Sequence, residues 1–127
     1  MQAPARRATT KWLFFSRSGR AGRQAFTLGV LFWMAVNSFA FSKLALDHED
    51  DEMLPLLALV VFATLCLSVF STVMLTIKRL HDIGLSGIFA CLIFVPVISF
   101  VMLIALCLWP STPQANGFGS ATDWPAT

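Results

Sequence analysis

The sequence predicts an all-α protein, a small polytopic bundle of transmembrane helices with three spans. Of its 127 residues, 57% are hydrophobic and only 13% are charged, whereas roughly a quarter of the residues in a soluble domain are charged. Three long apolar runs divide the chain, and a spanning helix needs roughly 20 such residues. With so few polar side chains to cover a soluble surface, the composition excludes a disordered chain, a nucleic-acid-binding domain and an ordinary cytosolic enzyme.

The charges divide the chain into a basic segment at 1–25, the bundle at 26–109 and a tail at 110–127. Six of the nine basic residues precede the first apolar run, and an excess of lysine and arginine marks the cytoplasmic side of a membrane protein. Thr9 or Thr10 can cap a short helix, and the aromatic and basic side chains of Lys11–Arg23 suit the headgroup layer. We therefore expect a cytoplasmic N-terminus with a segment that lies on the membrane.

The first span is predicted at about 26–46. It is uncharged from Phe26 to Ser42, which makes about 26 Å of helix, so Lys43 belongs to its end and extends its ammonium group to the interface. A cleaved signal peptide is the alternative, because a basic region precedes the run. The run is longer than a typical signal core and two more apolar runs follow it, which favours a span.

The loop at 47–52 carries five of the seven acidic residues of the chain. The distribution of lysine and arginine places this loop on the face opposite the N-terminus. His48 lies among the carboxylates, and a cation site is one interpretation. The loop lacks the glycine and the ligand spacing of a calcium-binding loop, so a solvated loop is favoured.

The second span is predicted at about 54–77. Pro55 suits the first turn of a helix, and the helix is expected to continue to Leu80 or Asp82. Small hydroxyl side chains recur every four residues on one side of this helix, at Thr64, Ser68, Thr72 and Thr76. Such a stripe lets helices approach closely and form hydrogen bonds. Helix packing is the favoured role, and the lining of a polar path is the alternative.

The third apolar run, at 88–109, follows a turn. Gly84 suits a helix end, and Ser86 or Gly87 suits a helix start. Pro96 lies near the middle of the run, and one span with a kink there is favoured, which places the tail on the face opposite the N-terminus. The alternative is a re-entrant hairpin centred on Pro96, which gives two spans, four short membrane segments and a tail on the starting side.

Charged residues that flank the spans gather at one predicted cytoplasmic boundary. Arg20 and Arg23 are three residues apart, and so are Arg79 and Asp82, a spacing that places each pair on one helix face. We expect Asp82 to form an ion pair with Arg20 or Arg23. The candidate structural or interaction residues are Arg20, Arg23, Arg79, His81 and Asp82.

The sequence contains no pattern that predicts catalysis. It has no phosphate-binding loop, nucleophile elbow, zinc-protease motif or dinucleotide fingerprint, and no ionisable residue lies deep in a span. The three cysteines, Cys66, Cys91 and Cys107, lie apart in apolar runs and are interpreted as small hydrophobic residues. His81 and Asp82 are too few to hold a metal ion. We therefore predict no enzyme activity, no catalytic residue, no metal and no cofactor.

Three stretches resemble the motifs of one family of small membrane proteins. The run at 18–26 (SGRAGRQAF) resembles the F-x-GR-xx-R-xx-F/Y-W entry to a first helix, and the run at 79–87 (RLHDIGLSG) is similar to R-R-L-H-D-x-G-R-S-G-W-W. The run at 112–119 (TPQANGFG) resembles T-P-G-x-N-R-F-G. On these motifs, in this order over about residues 12–120, the chain is identified as a member of the bacterial family of domain of unknown function 805. The resemblance implies an inner-membrane bundle of unknown activity.

The favoured function is a non-catalytic accessory or interaction subunit, multi-pass in a bacterial inner membrane. Its expected partners are the lipid bilayer and another membrane protein or a second copy of itself, and no nucleic acid. The first alternative is an oligomeric transporter or channel component with the hydroxyl stripe facing a pore. The second is a protein that binds anionic lipid headgroups through Arg17, Arg20, Arg23, Lys78, Arg79 and His81.

Overall fold

The protein is described here from a computed structural model of residues 7–46 and 52–125. Its helices are α1 (Thr10–Phe15), α2 (Arg23–Leu46), α3 (Leu54–Asp82), a 3-10 helix (Gly87–Phe94) and α4 (Pro96–Leu108). The all-α prediction is confirmed over these two ranges, where the extended pairing is limited to isolated bridges. The acidic stretch 47–51, with His48 and the cation site considered for it, lies outside the described residues.

Helices α2 and α3 are long and apolar enough to cross a membrane. Their 24 and 29 residues extend for about 36 and 43 Å. They approach closely at Gly29 of α2, where a Cβ atom would lie 2.7 Å from Leu75 Cδ1 of α3. The buried core is formed by Phe26, Leu75, Leu80, Ala90 and Leu106.

Helix α3 begins and ends close to where the sequence predicts. Pro55 occupies its first turn, where the missing N–H has no intrahelical partner to lose, and the helix continues to Asp82. Gly84 then adopts a φ of 82°, a left-handed conformation that favours glycine and ends the helix. The Ser86 side chain accepts a hydrogen bond from Ile88 N–H and begins the next element.

The third apolar run is two short helices rather than one span. Val95 is extended, with φ −97° and ψ 110°, as expected for a residue that precedes proline, and Pro96 begins α4. The 3-10 helix of 8 residues extends for about 16 Å, and the 13 residues of α4 for about 20 Å. Each is shorter than the roughly 30 Å core of a bilayer, so the predicted third span is not confirmed.

Both ends of the third apolar run lie at the same end of the bundle. At its start, Leu85 N–H donates to Leu80 O at 2.8 Å. At its finish, Leu106 O accepts from Arg79 Nε at 2.9 Å. Leu80 and Arg79 are neighbours in the last turn of α3, so the run folds back as a hairpin. The tail that follows therefore starts at the end of α3, whereas one kinked span would carry it to the opposite end.

Helix α1 lies beside the bundle. Thr9 is its N-cap, as predicted, because its Oγ1 accepts from Trp12 N–H at 3.1 Å. The Phe14 ring lies 5.5 Å from the Phe32 ring of α2, and the Phe15 ring stacks 6.2 Å from Phe70 of α3. The aromatic side chains of α1 thus pack against the two long helices.

Candidate functional site

A buried charge cluster occupies the end of α3. The Asp82 carboxylate lies between two guanidinium groups, with Oδ1 3.1 Å from Arg20 Nη2 and Oδ2 2.6 Å from Arg79 Nη1. All three side chains are fully buried, with 0% of their surface exposed. Of the two partners predicted for Asp82, the structure brings Arg20 to it. We call Arg20, Arg79 and Asp82 the charge cluster.

Local geometry explains how the three residues meet. Arg79 and Asp82 are three residues apart in the last turn of α3, and this spacing places them on one face. Arg20 follows Gly19, whose φ of 94° turns the chain. A Cβ atom there would lie 2.5 Å from Trp124 O, so a larger residue would push the tail away. Arg20 N–H donates to Trp124 O at 3.3 Å, which joins this turn to the tail.

The tail supplies acceptors to the N–H groups of Arg20 that do not bind Asp82. Arg20 Nη1 donates to Gln114 O at 2.8 Å, and its Nη2 donates to Thr112 O and, at 3.3 Å, to Thr122 Oγ1. The Thr122 hydroxyl in turn donates to Asp82 Oδ1 at 2.6 Å. The tail is therefore part of the site, which the predicted site residues did not include.

The guanidinium group of Arg79 donates its remaining hydrogen bonds to the end of the hairpin. Arg79 Nε donates to Leu106 O at 2.9 Å, its Nη2 donates to Trp109 O, and its Nη1 reaches Ser111 Oγ at 3.3 Å. These carbonyl groups belong to the last turn of α4 and the residues after it, where carbonyls have no intrahelical donor. Arg79 therefore caps α4 while it pairs with Asp82.

His81 lies beside the charge cluster and holds the tail. Its ring stacks on the Phe118 ring, with centroids 4.1 Å apart and planes 2° from parallel. Its backbone carbonyl accepts from Asn116 Nδ2 at 2.7 Å. The predicted candidate therefore contacts an aromatic ring and a turn of the tail, and its role in this structure is packing.

Arg23 is separate from the cluster. It is the first residue of α2 and is exposed, and neither ion pair of the described residues includes it. The start of α2 is capped by the tail, because Asp123 Oδ1 accepts from Gly22 N–H at 2.6 Å. A carboxylate at a helix N-terminus is favourable with the helix dipole.

Lys78 performs a role that the sequence does not reveal. Its side chain is fully buried, and its ammonium group donates to Trp12 O at 2.6 Å and to Leu13 O. The same nitrogen lies 4.5 Å from the centre of the Trp12 ring, which is within the range of a cation–π interaction. Lys78 thereby caps the last turn of α1 and joins it to α3.

Replacement of Lys78 by methionine is expected to release α1 from the bundle. The change removes two charge-assisted hydrogen bonds, each worth about 1.5–3 kcal/mol, together with the cation–π contact to Trp12. Chymotrypsin cleavage after Phe14 or Phe15, followed by mass spectrometry, should accelerate at least tenfold. Lys11→Met is the control, because Lys11 is exposed in the same helix, and equal acceleration in both variants would contradict the cap.

The hydroxyl stripe of α3 lies partly along a lateral cleft. Ser68 and Thr72 line this cleft of about 670 Å³, which α2, α3, the 3-10 helix and α4 enclose together. Thr64 and Thr76 donate to their own helix, to Val61 O at 2.9 Å and to Thr72 O at 2.8 Å. The cleft also contains Trp33 and Asn37, whose Nε1 and Oδ1 atoms are buried without a hydrogen-bond partner in the described part of the chain.

The geometry of the charge cluster is that of a structural ion network. Two cations and one anion are enclosed, and each oxygen of Asp82 accepts from at least one arginine. Among the described residues no group of three or more His, Cys, Asp or Glu side chains is placed to hold a metal ion. The cluster joins the N-terminal turn, α3, α4 and the tail.

Comparisons with known proteins identify the family. No curated protein and no solved structure matches the chain significantly. The model of one family, described as "Protein of unknown function (DUF805)", matches residues 14–120, a range that contains the whole charge cluster and most of its acceptors. This match covers most of the chain and agrees with the three motifs read from the sequence. The chain therefore belongs to the DUF805 family, whose function is unknown.

Proposed function

We propose that this protein is a small integral membrane protein of a bacterial inner membrane that acts as a non-catalytic accessory subunit. Its lateral cleft, in this proposal, receives a transmembrane helix of another membrane protein. The observation that carries the proposal is the lateral cleft of about 670 Å³, whose mostly apolar wall includes Ser68 and Thr72 and is left uncovered by the described part of the chain.

Insertion in a membrane is supported by the exposure of the two long helices. Only 11% and 17% of their most apolar stretches are buried within the chain, whereas the core helix of a soluble protein is mostly buried. Large apolar side chains face outward all along both helices, as Phe39 and Phe62 do. Exposure of this extent in water would be a strong drive to aggregate, and a bilayer removes that penalty.

The proposed orientation follows from the basic N-terminal segment. Lysine and arginine favour the cytoplasmic side, and the charge cluster ties the N-terminal turn to the tail, so both lie at that face. Helices α2 and α3 cross the bilayer, and the hairpin enters it part of the way from the cytoplasmic face. Its non-helical bend at Val95 is tolerated at that depth only where neighbouring protein covers it.

The absence of catalysis is proposed because the chemically capable side chains are occupied. Arg20, Arg79 and Asp82 are fully buried and bound to one another or to backbone carbonyls. A substrate would have to displace those partners to reach them. The same contacts join the N-terminal turn, α3, α4 and the tail, which suits a structural role.

The cleft offers what a partner helix needs in a bilayer. Asn37 lies fourteen residues beyond the start of α2, about 21 Å along the helix, and Ser68 lies the same distance from the end of α3. Both are therefore near mid-depth, where water is absent and a polar side chain on one helix favours a polar group on the next. Small hydroxyl side chains on the wall permit close helix approach, and interhelical hydrogen bonds add about 0.6 kcal/mol on average.

The test is co-purification in mild detergent with a photo-crosslinker at Met34, an exposed residue of the cleft rim. The expected result is a stoichiometric heterologous membrane protein whose crosslink is reduced at least fivefold by Asn37→Leu or Ser68→Leu. Ser42→Leu is the matched control, since Ser42 is an exposed polar residue of α2 outside the cleft. A crosslink that is unchanged in all variants, or that joins only copies of this chain, would overturn the accessory proposal.

An oligomeric transporter or channel is the second candidate, because Ser68 and Thr72 line the cleft as well as the hydroxyl stripe. The purified chain alone, reconstituted in liposomes, would then conduct ions or release small solutes, and Ser68→Trp would block that flux. The partner-subunit proposal expects no flux from the chain alone.

The geometry does not support a lipid-headgroup site made by all six cationic residues considered from the sequence. These are Arg17, Arg20, Arg23, Lys78, Arg79 and His81. Arg20, Lys78 and Arg79 are fully buried and serve internal contacts, and the His81 ring is stacked on Phe118. Arg17 and Arg23 are the members of that set with exposed side chains.

A further inference from the structure

A second groove lies between the start of α2 and the end of α4. Its volume is about 640 Å³. It is lined by Arg23, Gln24, Thr27, Leu28, Cys107 and Leu108. We propose that this groove binds one anionic phospholipid, with the phosphate at Arg23 and an acyl chain along Leu28 and Leu108; the proposal rests on the membrane insertion proposed above and is independent of the accessory role.

The lining of the groove changes from polar to apolar side chains along α2, as a phospholipid changes from its headgroup to its acyl chains. Arg23 and Gln24 are in the first turn of α2, Thr27 is one turn further, and Leu28 follows it. Leu28 and Leu108 are 66% and 71% exposed, so they form an apolar wall on the outer surface. A guanidinium group, an amide and a hydroxyl therefore lie within about 6 Å along the helix axis, next to that wall.

The charge of Arg23 is available to a ligand. Both oxygens of Asp82 are taken by Arg20, Arg79 and Thr122. The remaining carboxylate nearby, on Asp123, accepts from Gly22 N–H at 2.6 Å, and the ion pairs found within 4.0 Å in the described residues do not involve Arg23. The adjacent charge cluster contains two cations and one anion, which leaves a net positive charge beneath this surface.

A phospholipid suits the groove better than a free anion. A free phosphate would meet one guanidinium group at an exposed site, where a single ion pair contributes little. A lipid adds the burial of acyl methylene groups against Leu28 and Leu108, and the favourable free energy grows with each methylene group removed from water. The guanidinium group can bind the phosphate through two parallel hydrogen bonds, which would select an anionic headgroup.

The test uses the purified full chain with phosphatidylglycerol or phosphatidylcholine added to detergent micelles, and native mass spectrometry counts the retained lipids. We expect one phosphatidylglycerol per chain, at least tenfold preferred over phosphatidylcholine, and loss of that preference in Arg23→Gln. Lys43→Gln is the matched control, because Lys43 is an exposed cation of the same helix, about 30 Å away. Arg23→Lys, which keeps the charge, should retain part of the preference.

Cys107 provides a second readout from inside the groove. With Cys66 and Cys91 replaced by serine, phosphatidylglycerol should slow the maleimide labelling of Cys107 at least fivefold, and inorganic phosphate should not. Equal loss of binding in Arg23→Gln and Lys43→Gln, or no protection of Cys107, would overturn the site, and protection by inorganic phosphate would assign it to a free anion. The assay contains no partner protein, so failure of the accessory proposal leaves its result unchanged.

Discussion

Replacement of Asp82 by alanine is expected to lower the free energy of unfolding by about 3–5 kcal/mol, the cost of removing one member of a buried ion network. The carboxylate is the one anion between two fully buried guanidinium groups, so its loss leaves two uncompensated cations. Asp82→Asn keeps the shape of the side chain and removes the charge, and it should lose most of the same free energy. Equilibrium unfolding in mixed detergent micelles, followed by circular dichroism, measures both changes.

Two further variants distinguish the cost of an uncompensated buried charge from the cost of lost packing. Glu52→Ala removes an exposed carboxylate and should change the free energy by less than about 0.5 kcal/mol. Replacement of Arg20, Arg79 and Asp82 together by leucine or methionine should recover a large part of the loss, because an apolar trio has no desolvation cost. A loss below 1 kcal/mol in Asp82→Ala, or no recovery in the triple variant, would contradict a charge-based role.

A charge exchange between Asp82 and Arg20 is not a clean test of their pairing. The structure places Arg79 Nη1 only 2.6 Å from Asp82 Oδ2. An arginine at position 82 would therefore meet Arg79 at close range even when an aspartate at position 20 is present. The exchanged protein should remain destabilised for that reason, whereas the neutral triple variant has no such conflict.

Removal of residues 111–127 is expected to have the second large effect, a loss of at least about 3 kcal/mol from several charge-assisted hydrogen bonds. Arg20 would lose Thr112 O, Gln114 O and Thr122 Oγ1 as acceptors. Asp82 would lose the Thr122 hydroxyl, and the His81 ring would lose its stacking partner Phe118. The midpoint of detergent-induced unfolding and the yield of monodisperse protein measure the effect.

Graded variants of the tail identify which atoms matter. Gln114→Ala should be close to neutral, because Gln114 contributes its backbone carbonyl to Arg20. Thr122→Val should cost about 1–2 kcal/mol, because it removes the hydroxyl that bridges Arg20 and Asp82 while it keeps the side-chain volume. If the truncated chain unfolds at the same midpoint as the full chain, the tail has no part in the stability of the cluster.

The long helices could be predicted from the sequence because their signals are local. Apolar length, Pro55 at the first turn and Gly84 after the last turn determine where α3 begins and ends. The hairpin could not be decided in the same way, because a run of 22 apolar residues with Pro96 fits a kinked span as well as two short helices. The structure decides it through Arg79, whose contacts with Leu106 O and Trp109 O draw the end of the run back to α3.

The charged side chains of the site could be predicted from the sequence, whereas the groups that accept their hydrogen bonds could not. Arg20, Arg79 and Asp82 stand out in an apolar chain, and the three-residue spacing of Arg79 and Asp82 indicates a shared helix face. The groups that complete the site are backbone carbonyls, such as those of Thr112 and Gln114, and every residue type carries a carbonyl. Lys78 was interpreted through its charge alone, because its contacts with Trp12 O and Leu13 O depend on how α1 folds against the bundle.

The bridge between Arg20 and Thr122 also sets an order of events during synthesis. The two residues are 102 positions apart, and at about 5–20 residues per second a ribosome adds the threonine on the order of 5–20 s after the arginine. In that interval Arg20 lacks the acceptors that the tail supplies, and the end of the bundle where α3 finishes stays open. The long apolar helices are therefore complete before the charge cluster can be, and the bundle closes at this end only after translation has passed the tail.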